Sequence, residues 1–185
     1  MNWEWLGGFF DGDGSAFISI LKFVKYGKWQ LTFRPRIIFS QTDRQILQQI
    51  GDFVNLEFYI GHGRKKTFFS IHKPTGRRLT AWNLEFKGYK TISLLSEKLI
   101  PVTILKRRQL ELLNEFCHLR KHERYPWRKE EFLQALSIIR EMKQLNLKPR
   151  TANKTFELIN RLEDEAKHLP DHSLVYPIFH RILGR

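Results

Sequence analysis

Apolar and polar positions change period several times along this chain, and each change marks an element. Trp3 to Phe10 is an almost unbroken apolar run that predicts a short helix, closed by Asp11-Gly12-Asp13-Gly14. Residues 15–26 (SAFISILKFVKY) are β-branched and aromatic and predict a strand. After a turn at Tyr26-Gly27-Lys28, residues 29–39 alternate cleanly. Leu31, Phe33, Ile37 and Phe39 take one face, and Gln30, Thr32, Arg34 and Arg36 the other. Pro35 interrupts the apolar face and predicts an irregularity or an edge. The first strand leaves its register open: started at Ser15, it puts Phe17, Ser19, Leu21 and Phe23 on the open face, unless a bulge switches faces.

Thr42 or Asp43 caps a helix expected to run to about Phe53, with Ile46, Leu47 and Ile50 inward. Residues 56–61 and 66–73 predict one long strand or a hairpin. A turn at Pro74-Thr75-Gly76 leads to a strand over 78–86 with Trp82, Leu84 and Phe86 on one face. A helix over 89–99 stops at Pro101. The last third predicts three helices, 105–121, 127–145 and 152–168, the second ended by Pro149. Their stripes (Leu110, Leu113, Phe116, Cys117; Phe132, Leu136, Ile139, Met142; Phe156, Ile159, Leu162, Ala166) are core-facing in the ordinary case. The order helix, strand, strand, helix, strand, strand, helix predicts an α+β fold: a curved antiparallel sheet with helices on its back and a helical C-terminal part. No linker marks a second domain, so residues 1–185 are read as one, with a core over 1–104 and helices over 105–185.

Charge adds a partner to this picture. The net charge is +13 over 185 residues. No acid occurs from residue 14 to 42, which holds Lys22, Lys25, Lys28, Arg34 and Arg36. None occurs from 58 to 84 either, where Arg64, Lys65, Lys66, Lys73, Arg77 and Arg78 stand. The other 21 of the 32 basic residues are nearly balanced by all 19 acids. Solubility surfaces mix signs, so a field confined to two windows wants a polyanion, and nucleic acid fits. A ribbon with Gln30, Thr32, Arg34 and Arg36 on one face suits the major groove. The single cysteine, Cys117, excludes an intrachain disulfide, and with His118 and His122 it lacks the second pair a zinc site needs. No apolar run is long enough to span a membrane, and no targeting segment precedes the first helix.

The candidate chemistry lies at Asp11 and Asp13. Two carboxylates at a helix C-terminus are electrostatically poor, and a divalent cation with hard oxygen ligands would relieve them. A calcium loop needs a Glu at its twelfth position. Counting from Asp11 gives Lys22 and from Asp13 gives Val24, so that loop is excluded. Gly7 and Gly8 inside the helix cost stability unless another backbone comes close.

Leu6-Gly7-Gly8-Phe9-Phe10-Asp11-Gly12-Asp13-Gly14 resembles the signature of the LAGLIDADG homing endonucleases, L-A-G-F-x-D-G-D-G, with Gly7 where alanine is usual. The resemblance implies the αββαββα endonuclease fold and cleavage of both strands of a long DNA site, promoting intron mobility. It implies magnesium at Asp13 with the Gly12 carbonyl as a further ligand; manganese would substitute, and calcium would support binding without cleavage. It gives Gln41, Lys106 and Arg44 catalytic roles, and leaves Asp11 hydrogen-bonded at the helix end. It likens residues 145–155, with Lys148, Arg150 and Lys154, to a basic loop gripping the DNA backbone.

Only one signature is present, so a C₂ homodimer is expected to supply the second carboxylate, with Leu6, Gly7, Gly8, Phe10 and Asp11 in the seam. A ribbon of ten residues spans about 33 Å, so two protomers cover roughly twenty base pairs of a nearly palindromic site. Two other readings share the basic sheet: a maturase with its own intron RNA as partner, and a DNA-binding regulator that does not cut. The family further implies an organelle-encoded protein active in a chloroplast or mitochondrion, the cytosol being the other expectation.

Overall fold

The structure, a computed structural model, describes residues 1–25, 28–62, 69–73, 81–119, 127–146, 149–171 and 173–175, the side chains of 22–25, 28–30, 59–62 and 149–153 excepted. Helix α1 (Trp3–Asp13) leads into strands β1 (Gly14–Lys25) and β2 (Lys28–Gln41), helix α2 (Arg44–His62), strands β3 (Phe69–His72) and β4 (Trp82–Lys87) and helix α3 (Tyr89–Leu99). A 3-10 turn, Ile100–Val102, connects to α4 (Arg107–Leu119). Then come β5 (Trp127–Arg128), α5 (Lys129–Asn146), α6 (Pro149–Lys167) and β6 (Leu174–Val175). The expected αββαββα order is therefore observed, and the four strands form one sheet in the order β1-β2-β4-β3.

The chain divides into two compact units. The first comprises residues 1–17 and 35–117, the second 18–34 and 118–185. In the first unit β4 runs antiparallel to both neighbours, with Ile37 opposite Phe86, Phe39 opposite Leu84, and Phe69 opposite Phe86. Leu6, Phe10, Ile37, Phe39, Leu84 and Phe86 are fully buried. Phe39 meets Phe10 edge-on at 5.6 Å and Phe86 at 6.2 Å. Aromatic rings supply much of this core because each buries a large apolar area and such edge contacts add to it. In the second unit Phe33, Trp127 and Phe132 form a ring cluster with centroids 5.9 to 6.2 Å apart. There Arg140 ties α5 to α6 through Glu163 at 2.7 Å.

The structure corrects several expected boundaries. Helix α1 continues through Asp13 rather than ending at Phe10, and the backbone N–H of Gly14 closes it on the Phe10 carbonyl. Helix α2 takes residues 54–62, where a strand was expected over 56–61. Leu47, Ile50, Val54 and Phe58 keep the helical period and are buried, whereas Leu56 is 56% exposed. A β-rich composition over 56–60 was thus overridden by packing. Pro35 keeps its place on the buried face of β2 and does not break it. In β1, Ala16 and Ile18 are buried, so Phe17, Ser19 and Leu21 do face the open side, apolar as they are. Pro149 opens α6 rather than merely ending α5; at a first helical position its missing N–H costs nothing. Most of the expected basic loop over 145–155 is thereby helical, and Lys154 is an exposed residue of α6.

Candidate catalytic corner and sheet face

The C-terminal end of α1, the end of β2 and the segment before α4 meet in the first unit. Asn2 starts α1 by accepting the N–H of Trp5 at 2.9 Å. Leu6, Gly7 and Phe10 then face inward, and Gly8, Gly12 and Asp13 outward. A Cβ on Gly7 would run into the carbonyl and side chain of Val102, whereas one on Gly8 would meet nothing within 4 Å. Of the residues expected in the seam, Leu6, Gly7 and Phe10 are buried within the chain, and the open stripe is Trp5, Gly8 and Gly12. The glycine needed for close approach within the chain is Gly7, against the 3-10 turn.

The two aspartates do different things. The Asp11 carboxylate accepts three successive backbone N–H groups: Ile104 at 2.7 Å, Leu105 at 3.1 Å and Lys106 at 3.0 Å. Partial burial pushes its pKa up, but those N–H groups and the Lys106 ammonium outweigh this and hold it below the usual carboxylate value. Asp11 is therefore committed to the backbone of the 104–106 segment. Asp13 is exposed, and its Oδ2 accepts from Gln41 Nε2 at 3.3 Å. The Gln41 amide is oriented by its own neighbour: its Oε1 accepts the Thr42 N–H at 2.7 Å and the Thr42 hydroxyl at 3.1 Å. Asp13 and Gln41, 28 residues apart in sequence, are thus brought together.

Lys106 is held over the end of α1. Its Nζ donates to the carbonyls of Phe10 at 3.1 Å, Gly12 at 3.2 Å and Gly14 at 2.7 Å. These are carbonyls a helix C-terminus leaves unpaired, and a cation there opposes the macrodipole. Burial lowers the Lys106 pKa, while Asp11 and Asp13 pull it back up. The Gly12 carbonyl, expected as a metal ligand, is here occupied by this ammonium. Arg44 opens α2 after the Asp43 side chain, which accepts the Gln45 N–H at 2.8 Å. Its guanidinium lies 5.1 Å from the Trp82 ring, and Lys73 Nζ lies 4.9 Å from the same ring. Trp82 is opposite Gln41 in the β2–β4 register, so two cations gather beside Gln41.

The oxygen donors fit a hard divalent ion as half a site. Asp13 is a carboxylate not committed to backbone, with exposed Gly12 beside it, and no group of three or more His, Cys, Asp or Glu forms a centre among the described residues. A second such corner would complete the set. Cys117 is buried in apolar surroundings that push its thiol pKa well up, as for an inert core residue.

Of the expected DNA-contacting residues, Arg34, Lys73 and Lys154 are exposed and Thr32 and Arg36 half-buried. Arg36 also pairs with Glu85, with Nη1 2.7 Å from Oε1. Lys22, Lys25, Lys28, Gln30, Arg64, Lys65, Lys66, Arg77, Arg78, Lys148 and Arg150 lie outside the described residues or side chains. Sequence reasoning missed Trp82, Glu85, Ile104 and Leu105. The last two are 81% and 76% exposed, beside the backbone that Asp11 holds.

A helix-end carboxylate, an amide and a lysine thus meet at one corner beside the sheet. Residues 6–100 match the LAGLIDADG endonuclease family, just over half of the chain, and the chain belongs to that family. Two solved structures of the homing endonuclease I-CvuI share its fold. The one in complex with the I-CreI target and magnesium has a TM-score of 0.65 at 21% identity, over 91% of this chain and 96% of that one. The one with its own target and calcium has 0.66 at 19% identity, over the same shares. The archaeal intron-encoded homing endonuclease I-Vdi141I, complexed with DNA, gives 0.60 at 15% identity, over 87% of this chain and 96% of that one. The chain of I-GzeII, bound to its DNA target, gives 0.59 at 17% identity. There the match covers 98% of this chain but 54% of the other. No curated protein sequence matches the chain.

Proposed function

We propose that this endonuclease is a homodimer that cuts both strands of duplex DNA at a nearly palindromic site of roughly twenty base pairs, with magnesium, and so promotes mobility of its coding intron. The observation that carries the reading is the division of labour on α1. Asp11 is consumed by backbone, so each protomer offers Asp13 alone at an exposed helix end. Gly8 and Gly12, one helical turn apart on the open stripe, let a second copy of α1 approach closely. Exposed Ile104 and Leu105 extend that surface with apolar area.

In this reading Asp13 would hold magnesium, joined by the Gly12 carbonyl if Lys106 shares that oxygen, and the ion would supply polarisation of the scissile phosphate and a more acidic bound water. Gln41 orients water or a ligand at Asp13. Lys106 brings positive charge to the corner and stabilises the pentavalent phosphorus, with Arg44 beside it. Arg34, Lys73 and Lys154 grip the backbone of the duplex.

The test is selection of cleaved sites from a random duplex library. Cutting is expected with Mg²⁺, binding without cutting with Ca²⁺, and loss of cutting but not binding in Asp13→Asn. Tight binding with no Mg²⁺-dependent cut would favour the regulator, and preference for intron RNA the maturase. Sedimentation should show a dimer; a monomer that makes double-strand breaks would exclude the assembly.

A further inference from the structure

Glu85 is an acid near the middle of a sheet face expected to meet a polyanion. The register sets it opposite Ile38 of β2 and Ser70 of β3, and its side chain is 3% exposed. Both of its oxygens are bonded to cations. Oε1 accepts from Arg36 Nη1 at 2.7 Å, and Oε2 from Lys87 Nζ at 2.8 Å. Arg36 and Lys87 are themselves opposite each other across β2 and β4. Two like charges in that relation repel, and the shared carboxylate holds them together. The Arg36 side chain is 23% exposed, and its Nε is buried without a partner. A charge-assisted bond at one nitrogen restrains the guanidinium, and the exposed part of the side chain stays open to a partner. Lys87 remains half exposed, at 49%. Beside them Ser40 donates to Asn83 at 2.8 Å, so the neighbouring row of this face is tied within itself.

We propose that Glu85 is a positioning residue that aims Arg36, with Lys87 beside it, at one base pair in each half of the DNA site. A restrained guanidinium can meet the paired acceptors of a guanine edge; a free one finds phosphates instead. The buried carboxylate also cancels one of the two positive charges, which restrains sequence-independent attraction. This inference rests on the DNA-cleaving reading above and adds to it a residue that sharpens selectivity without touching DNA.

The experiment compares cleaved-site profiles of the wild type, Glu85→Gln and Arg36→Lys from the same library with Mg²⁺. Binding to random duplex in Ca²⁺ over a salt series and melting temperatures are measured on the same samples. Glu85→Gln is expected to lose about tenfold in discrimination at one symmetric pair of positions. Its binding to random duplex should strengthen, with a salt slope steeper by about one. Arg36→Lys keeps Glu85 but removes the planar fork, and should relax the same pair. If Glu85→Gln lowers the melting temperature but keeps the wild-type profile and salt slope, Glu85 only holds the sheet and the inference falls. Relaxation by Arg36→Lys at a different pair would also overturn it. Should Glu85→Gln not fold, Arg36→Lys decides: an unchanged profile overturns the proposal. A wild type that cuts nothing in the library would sink the DNA-cleaving reading itself, which separates the two failures.

Discussion

The end of α1 and the open face of the sheet both place acids among cations, and they resolve the same electrostatic problem in opposite ways. On the sheet, Glu85 is buried and both oxygens are saturated by Arg36 and Lys87. At the helix end Asp11 is saturated by backbone N–H groups, while Asp13 stays exposed with one long bond from Gln41. A saturated carboxylate orders the groups bonded to it and is not left free for a metal ion. An unsaturated one beside a lysine and an oriented amide is left for something the protein does not itself contain. Asp13 is the carboxylate that fits that description at this corner, and this is why catalysis is proposed for it rather than for Asp11, two residues away.

The sharpest way to break that contrast is to neutralise each aspartate in turn. Asp13→Asn should lose cleavage by on the order of a thousandfold while keeping binding and melting temperature, since several kcal/mol of transition-state stabilisation go with the ligand. Asp11→Ala should do the reverse in kind: a loss of about 2 kcal/mol in folding, read by denaturant unfolding, as three N–H groups lose a charged acceptor but regain water at a partly exposed site. Equal loss of stability in both variants would dissolve the distinction between them.

How much of this was legible beforehand follows from which signals are local. The order of the first seven elements, the faces of β2 and the distinct character of Asp13 were readable because each rests on period or on a contiguous motif. The extent of α2 was not, because Phe58, Tyr59 and Ile60 favour a strand locally and only burial of Val54 and Phe58 decides for helix. Gly7 and Gly8 looked alike in sequence. They differ because Val102, nearly a hundred residues on, packs against one and not the other. The pairing of Arg36 with Glu85 spans 49 positions and needs the β2–β4 register, which no single-sequence pattern supplies.

That glycine pair gives the next test. Gly7→Ala puts a Cβ into the Val102 carbonyl, where backbone must move, and should cost about 2 kcal/mol in folding. Gly8→Leu meets open space within the protomer and should leave its unfolding free energy within about 0.5 kcal/mol. The same change should shift sedimentation toward monomer. If Gly8→Leu stays dimeric and Gly7→Ala is neutral, both the intrachain contact and the proposed seam are misassigned.

The smallest expected effect is a pH dependence that separates Asp11 from its neighbours. Its pKa is held below the usual 3.8, with burial opposing and the three N–H groups and Lys106 prevailing. A carboxylate with a folded value below its unfolded one adds stability that is present above the unfolded pKa. That stability is lost as pH falls through the folded value. The Lys106 shift is also downward, through burial, so this group favours folding more as pH rises toward its alkaline range. Below neutrality the lysine is charged in both states and contributes no slope. The melting-temperature gap between wild type and Asp11→Asn should therefore be flat from about pH 7 to 5 and shrink below about pH 4. Because Asp11 is only partly buried, solvent screening keeps this linked contribution well under that of the hydrogen bonds themselves. A gap that held constant down to pH 2 would mean that the carboxylate's charge is not what binds the 104–106 backbone. The reason for Asp11 being unavailable to a metal would then be lost with it.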